Sequence, residues 1–248
     1  MHRASACYSS HPLITRPRIL MFLSPGSSPI TREEFGRLRE GARVLELDVR
    51  GEKVLLTSDK RIIKLFYPRR SFSSAHIYPY AYRFWHNARR LKTRGITTVE
   101  CQQLRYDQAN KRHIITYPLL AGVTLRDCLQ AGSCGNLQLQ KLATYLAELH
   151  AKGILFRSIH LGNILVLENG EFGLIDIADM SIRCWPLGLF RRARNFRHLL
   201  HDKQDRETLG SYGYGRFLGE YETAANIAGY RSRLLRTLLR RYAPAIQI

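Results

Sequence analysis

Short apolar runs separated by turn residues dominate the first half of the chain, a pattern typical of antiparallel strands. Thr31 and Glu34 form a capping-box pattern that predicts a short helix before the first run. Turn signals at Arg50-Gly51 and Ser58-Asp59 separate the first three runs. The strands are expected at Arg43–Val49, Lys53–Thr57, Arg61–Phe66, Thr98–Arg105 and His113–Tyr117.

Helical periodicity becomes the main signal further along the chain. Apolar residues on one side of Tyr82–Arg94 predict a helix that ends at Gly95. Leu137–Lys152 carries the clearest helical spacing, and Gly153 stops it. The last stretch, residues 186–248, is helical in pattern and basic.

A hairpin interrupts this helical half. Its strands are expected at Ile164–Leu167 and Phe172–Ile177, joined at Asn169-Gly170, a dipeptide typical of tight turns. A strand-rich part followed by a helix-rich part predicts an α+β fold with two lobes rather than a doubly wound sheet. The expected units are a flexible lead at 1–30, a sheet lobe with one main helix at 31–118 and a mainly helical lobe at 119–248.

Composition narrows the class of protein. The longest apolar runs of the 248 residues are too short to span a bilayer. Residues 1–30 lack the core of a signal peptide, and Met21 is an alternative start. The cysteines are odd in number and lack CxxC spacing, so reduced cytoplasmic thiols are expected rather than a disulfide framework or a zinc site. They are Cys7, Cys101, Cys128, Cys134 and Cys184.

The charge points to the kind of partner. A formal net charge of +19 exceeds what solubility requires and favours a polyanion: nucleic acid, an anionic membrane surface or a phosphorylated glycolipid. Arginine-rich helices suit phosphate groups and an anionic leaflet, although the leucines of the last helix can equally pack on the lobe. No RNA-binding module or aromatic stacking platform accompanies the basic runs, which disfavours nucleic acid.

The candidate chemistry lies between residues 156 and 179. A kinase catalytic loop has the form His-Arg-Asp followed, after four residues, by Asn, and then by a hairpin and a metal-binding Asp. Arg157, Asn163 and Asp176 stand at corresponding positions, and the hairpin lets the last two converge on Mg²⁺ bridging ATP phosphates. Lys64, inside an apolar strand, stands where a kinase lysine contacts the α- and β-phosphates.

Further segments make the resemblance to a known family specific. They are His160-Leu161-Gly162-Asn163, which looks like the His-Pro-Gly-Asn of aminoglycoside-phosphotransferase-type kinases, Ile63–Phe66, Asn87–Leu91 before Gly95-Ile96, and Arg192–Leu199. Over residues 40–220 the chain resembles the lipopolysaccharide-kinase (Kdo/WaaP-like) family, whose short members carry the loose label of toluene-tolerance protein. A protein-kinase-like fold is therefore expected.

The resemblance implies ATP-dependent phosphorylation of a sugar in the lipopolysaccharide inner core, at the cytoplasmic face of a Gram-negative inner membrane. It implies that Lys64, Asn163 and Asp176 hold ATP and Mg²⁺. A basic patch is expected to hold the anionic acceptor, with the protein cytoplasmic or peripheral on that membrane. The patch comprises Arg157, Arg191, Arg192, Arg194 and Arg197.

The chain also departs from the kinase pattern. Ser158 stands where the proton-accepting Asp belongs, and Phe156 replaces the usual His. No acidic residue lies between Asp59 and Glu100, so the helix Glu that pairs with the kinase lysine is missing; Asn87 is the nearest polar candidate.

Two features of the phosphate-binding and metal-binding segments are altered as well. The first hairpin carries only Gly51, and the Asp-Phe-Gly motif becomes Asp176-Ile177-Ala178.

Two hypotheses follow from these departures. In the first the protein is an active kinase, in which His160 or Asp179 substitutes for the missing base, since Ser158 alone is a poor one. His160 can equally be structural and tie the loop together. In the second the protein is a pseudokinase that keeps the fold for nucleotide binding or regulation.

Overall fold

The first lobe is an antiparallel sheet with a helix on each face. The structure, a computed structural model, describes residues 26–68 and 79–242, so most of the predicted lead, Cys7 and Met21 lie outside the described residues. The sheet has the order β1-β5-β6-β4-β3-β2, and only the short β1–β5 pair is parallel. Its strands are β1 (Ser28–Pro29), β2 (Arg43–Asp48), β3 (Gly51–Leu56), β4 (Arg61–Phe66), β5 (Gln103–Asp107) and β6 (Arg112–Pro118).

The helices of this lobe cover opposite faces of the sheet. Helix α1 (Arg32–Arg39) begins with the predicted capping box, in which Thr31 and Glu34 each accept the other's backbone N–H. Helix α2 (Tyr80–Lys92) begins two residues before its predicted start. Strand alternation sends Ile63 into the small core under α1 and Ile62 into the main core with α2. Lys64 therefore shares the α2 face with Ile62.

The second lobe is mainly helical, as predicted. Strands β9 (Ile164–Val166) and β10 (Phe172–Leu174) form the predicted hairpin, and β8 (Ile154–Phe156) pairs with β11 (Met180–Ile182). Among the described residues, none of the helices has the length and hydropathy needed to cross a membrane. Strand β7 lies at Val123–Thr124. The helices are α3 (Leu125–Gln130), α4 (Asn136–Ala151), α5 (Leu189–Leu199), α6 (Lys203–Tyr212), α7 (Tyr214–Ala224) and α8 (Gly229–Tyr242).

One hydrophobic core runs from α2 through α4 to α7 and α8, so the lobes pack on each other rather than being joined by a linker alone. In α8, Leu235 and Leu239 are buried, which supports the interpretation that its leucines pack on the lobe. The predicted class, an α+β fold with a bilobal protein-kinase-like arrangement, is confirmed by this order of elements.

The prediction that all cysteines are reduced was wrong. Cys128 and Cys134 form a disulfide with their Cα atoms 5.2 Å apart, a separation within the normal range for this bond. Helix α3 ends at Gln130 and the chain then reverses, which brings the two thiols together although their spacing in sequence carries no signature. Cys101 and Cys184 are free.

A buried polar cluster joins α4, α5 and α7. The two ring nitrogens of His150 contact the hydroxyl of Tyr221 at 2.7 Å and Oδ1 of Asn195 at 3.0 Å. Asn195 also donates to the carbonyl of Phe156 at 2.6 Å, which ties the cluster to β8. Burial lowers the pKa of His150 to about 3. The imidazole is therefore neutral in the folded protein at ordinary pH.

Acid is expected to destabilise the protein through His150. Its pKa is lower when folded than the value of about 6.5 expected when unfolded, so the unfolded chain binds the additional proton. This contribution to stability is complete above pH 6.5 and is lost as the pH falls towards 3, by at most about 1.4 kcal/mol per pH unit. Urea unfolding at pH 7.5, 5.5 and 4.5 measures it.

His150→Gln should be less stable than wild type at pH 7.5 and should show a shallower loss of stability with acid. The exposed His201, replaced by Gln, is the matched control and should follow wild type. Parallel pH dependences for wild type and His150→Gln would contradict the assignment.

Candidate functional site

A cavity of about 390 Å³ opens between the two lobes. The sheet lobe contributes two lysines, Lys53 from β3 and Lys64 from β4. The helical lobe contributes Ser158, Asp176 and Asp179. The structure thus brings the predicted loop, the predicted metal-binding Asp and the predicted lysine to one cleft.

Lys64 joins the lobes at the back of the cleft. Its strand is interior, between β6 and β3, and its side chain is only 6% exposed. The Nζ atom donates to Oδ1 of Asp176 at 2.6 Å, and it lies 5.5 Å from the ring centre of Phe84 in α2. An ion pair across 112 residues of sequence is therefore the central contact of the site.

Asp176 follows β10 and is held from several sides. Its φ of 51° lies in the left-handed region, which Asp tolerates better than most residues and which often marks a functional position. Burial pushes the pKa of its carboxyl upward, but the charge and hydrogen bond of Lys64 outweigh burial, so the pKa lies below its usual range. Lys53 adds to this effect. Asp176 is therefore ionised and faces positive charge.

The catalytic loop is folded around Asn163. Its Nδ2 donates to the carbonyl of Ser158 at 2.8 Å, and its own carbonyl accepts the N–H of Ile175, next to Asp176. Among the described residues, Oδ1 of Asn163 accepts no hydrogen bond. This oxygen and the carboxylate of Asp176 are hard donors of the kind that Mg²⁺ prefers, so the pair fits a divalent cation.

His160 is tied into the same loop. Its Nδ1 accepts the N–H of Gly162 at 3.1 Å. Burial lowers the pKa of His160, and the charge of Arg126 adds to this effect. The contact is the loop-closing one expected of a structural histidine.

Asn87 does not replace the missing helix Glu. It is buried in α2 and donates to the carbonyl of Ile177 at 2.7 Å rather than to Lys64. Phe84, one turn earlier, lies against the lysine instead. Asn87 therefore anchors the backbone just after Asp176.

Arg157 is engaged within the protein. Its N–H donates to the carbonyl of Asp179 at 3.0 Å, and its guanidinium contacts Oδ1 of the same residue at 2.8 Å through Nε and 2.5 Å through Nη2. The side chains are about one-third exposed, 34% for Arg157 and 33% for Asp179. Arg157 thus holds an acidic group at the edge of the cleft.

The predicted basic patch is only partly correct. Arg192 is buried, and its guanidinium donates to the carbonyl of Leu187 at 2.7 Å and to the hydroxyl of Tyr221 at 2.9 Å. It stabilises the polar cluster around His150 and is not available to an acceptor, so its assignment to the patch was wrong. Arg194 and Arg197 are exposed on α5, and Arg191 is partly exposed.

Three residues in the site or next to it escaped the sequence analysis. Lys53 lies two residues after Gly51, and its position in the first hairpin was a usable signal. His198 lies near Arg194 and Arg197; burial lowers its pKa, and the charges of those two arginines lower it further.

The third missed residue is Asp205, whose carboxylate supports the catalytic loop. It is fully buried, accepts the N–H of Leu161 at 2.7 Å through Oδ2 and binds Nε of Arg126 at 2.8 Å through Oδ1. No local pattern marks this residue, because its partner in the loop lies 44 residues away.

Metal sites built from three or more His, Cys, Asp or Glu side chains are absent from the part of the chain that the structure describes. A site made by Asn163 and Asp176, with the remaining oxygens supplied by nucleotide phosphates, falls outside that definition. It is the type of site expected for Mg²⁺, which is often bound by one or two carboxylates and substrate phosphates.

No family model and no curated protein matches the chain. Solved structures of WbdD, described as a bifunctional kinase-methyltransferase, are similar at 15% identity and a TM-score of 0.43, over 75% of this chain and 46% of that one. Monomeric WbdD is similar at 17% identity and a TM-score of 0.45, over 76% of this chain and 44% of that one. A co-crystal structure of WbdD with a kinase inhibitor is similar at 19% identity and a TM-score of 0.41, over 77% of this chain and 43% of that one. The chain spans less than half the length of these proteins, and at such identities the likeness assigns no activity.

Proposed function

We propose that the protein is an ATP-dependent phosphotransferase that acts on a hydroxyl group of an anionic glycolipid, such as a sugar of the lipopolysaccharide inner core. The observation that supports it most is the Lys64–Asp176 ion pair of 2.6 Å, which closes the back of a cleft between two lobes. Asn163 lies on the same loop-and-hairpin unit as Asp176.

The nucleotide is assigned to the lysine side of the cleft. Lys64 is buried and positively charged, so it is suited to the α- and β-phosphates of ATP, and Lys53, which also pairs with Glu46, adds a second cation at the same wall. Asn163 and Asp176 are the residues that would hold Mg²⁺. When bound, Mg²⁺ would neutralise phosphate charge and fix the orientation of the transferred group.

The acceptor is assigned to the basic side of the helical lobe. Arg194 and Arg197 are exposed on α5 and offer guanidinium groups to phosphates or carboxylates, both of which are abundant on a lipopolysaccharide core. The net charge of +19 favours association with such a polyanion and with an anionic membrane surface, which makes a peripheral location at the inner membrane part of the proposal.

A pseudokinase is the second candidate, and specific residues favour it. Ser158 replaces the proton-accepting Asp, and Phe84 rather than a Glu lies beside Lys64. A protein of this kind would bind nucleotide without efficient transfer. The two candidates predict the same nucleotide affinity and different turnover.

Mg²⁺-dependent ATP binding is the first test. Thermal unfolding of wild type should shift upward with ATP and further with ATP and Mg²⁺, because ligands that bind only the folded state stabilise it. Asp176→Asn should remove the Mg²⁺ increment, since the charge facing the cation is lost. Glu171→Gln, an exposed carboxylate outside this cleft, is the matched control and should keep it.

Turnover separates the two candidates. Purified lipopolysaccharide core and Mg-ATP are incubated with each variant, and ADP release and phosphate transfer are measured. Transfer by wild type that Asp176→Asn abolishes supports the phosphotransferase. Binding without transfer supports the pseudokinase, and the absence of any Mg²⁺-dependent shift in wild type rejects the phosphotransferase.

A further inference from the structure

The replacement of Asp by Ser158 leaves open where the proton of the acceptor hydroxyl goes. A serine hydroxyl is a poor proton acceptor without a base beside it, and Ser158 makes no side-chain hydrogen bond among the described residues. The candidates in the cleft are therefore the nearby imidazole and the carboxylates that line it.

His160 has the wrong proton arrangement for this role. Its Nδ1 accepts the backbone N–H of Gly162, so in the neutral ring the proton resides on Nε2. Nε2 is then a donor rather than an acceptor. His160 closes the loop and does not remove a proton.

Two of the three carboxylates that line the cleft are also engaged in other contacts. Asp176 is paired with Lys64 at 2.6 Å and belongs to the proposed cation site. Asp48 accepts the N–H of Arg50 at 2.7 Å inside the tip of the β2–β3 hairpin, where it fixes the turn. Asp176 therefore has an electrostatic role and Asp48 a structural one.

Asp179 differs from Asp48 in lying beside the catalytic loop, and from Asp176 in being paired with Arg157 rather than with the lysine of the cleft. The pairing of Met180 with Phe156 sets Asp179 opposite Arg157, at the point where β8 leads into the catalytic loop. Both guanidinium contacts reach the same oxygen, Oδ1. Among the described residues, Oδ2 accepts no hydrogen bond, and the side chain lines the same cavity as Ser158.

We infer that Asp179 is the proton acceptor of the reaction and that Arg157 is the residue that positions it. The inference rests on the proposed phosphotransferase. The acceptor oxygen forms a bond to the γ-phosphorus, and the bond from that phosphorus to the β–γ bridging oxygen breaks with its electron pair leaving on ADP. The hydroxyl proton passes to Oδ2 of Asp179 and then to water. The carboxylate thus acts from the residue just before β11, opposite the usual loop position.

A swap of the carboxylate between the two positions tests the inference. Asp179→Asn should reduce transfer from Mg-ATP to purified lipopolysaccharide core by about 10²–10⁴-fold, the usual contribution of general-base catalysis, with ATP affinity unchanged. Adding Ser158→Asp to that variant should restore part of the rate by returning a carboxylate to the loop. The acid limb of the pH–rate profile should vanish in Asp179→Asn and return in the double variant.

Two further variants separate catalysis from folding. Asp179→Glu keeps the charge and should retain more activity than Asp179→Asn at similar thermal stability. Arg157→Gln should lower kcat and move the acid limb while leaving KM for ATP in place, which a purely structural role would not do.

The outcomes distinguish this inference from the function on which it rests. If Asp176→Asn abolishes transfer and Asp179→Asn leaves it intact, Asp179 is not the proton acceptor, and the proposed phosphotransferase function stands. Wild type that binds Mg-ATP without transferring phosphate overturns both. A loss in Asp179→Asn that Ser158→Asp does not relieve, with an unchanged pH profile, also rejects the inference.

Discussion

Asp205→Ala is expected to lower the free energy of unfolding by about 3–5 kcal/mol, the usual cost of breaking a buried ion pair by removing one partner. The carboxylate is fully buried in α6 and meets Arg126 at 2.8 Å, so its loss leaves the guanidinium only the longer contact with Asp202 at 3.3 Å. The N–H of Leu161 also loses its acceptor. Urea unfolding measures the stability, and the Mg-ATP thermal shift measures the loop.

Two variants of the same region serve as controls for Asp205→Ala. Asp202→Ala removes the N-cap of α6, whose carboxylate accepts the N–H groups of Gln204 and Asp205 and also lies 3.3 Å from Nη2 of Arg126, and should cost about 1 kcal/mol. Asp205→Asn keeps an acceptor for Leu161 but loses the charge, so it should fall between the two. Equal losses for Asp202→Ala and Asp205→Ala would show that the contact with the loop contributes nothing beyond the cap.

Much of the fold could be predicted because its signals are local. Strands predicted at Arg61–Phe66 and Lys53–Thr57 are found at Arg61–Phe66 and Gly51–Leu56, since short apolar runs bounded by turn residues suffice to mark them. The helix predicted at Leu137–Lys152 is found at Asn136–Ala151. The strand predicted at Thr98–Arg105 begins later, at Gln103, where pairing with β6 begins.

The parts of the site that were predicted are those fixed by short-range spacing. Asn163 precedes the hairpin and is bonded through its carbonyl to Ile175, the residue before Asp176, so the proximity of the two backbones follows from the sequence pattern. The direct contact of Lys64 with Asp176 was not predicted, because the two lie in different lobes; the kinase pattern indicated only that both belong to one nucleotide site.

Other parts of the site depend on packing between distant elements. Asp205 reaches the catalytic loop only once α6 is docked, and nothing in its neighbourhood in sequence marks it. Arg192 stands among exposed arginines in sequence, yet its position on α5 points it at Tyr221, 29 residues away. A basic run therefore does not show which of its members face solvent.

Gly153→Ala is expected to destabilise the protein by about 2–5 kcal/mol, from a left-handed backbone and an overpacked contact. The sequence predicts Gly153 only as the end of a helix. The structure adds that its φ is +75° and that a Cβ here would lie 2.5 Å from the carbonyl oxygen of Trp185 and 2.7 Å from that of Arg183. Because Gly153 also accepts the N–H of Arg183 at 3.0 Å, neither backbone can retreat without disturbing the β8–β11 pair.

Gly132→Ala isolates the backbone component of this effect. Its φ is +70°, nearly the same, and nothing lies within 4 Å of the added Cβ, so it should cost only about 1–2 kcal/mol. The difference between the two variants in urea unfolding then measures the close approach alone. Since β8 and β11 place Arg157 opposite Asp179, Gly153→Ala should also reduce phosphate transfer per folded molecule, whereas Gly132→Ala should not. Equal stabilities for the two variants would mean that the backbone of β11 shifts at little cost to accommodate the added Cβ. The catalytic loop would then lack the rigid support that the proposed chemistry requires.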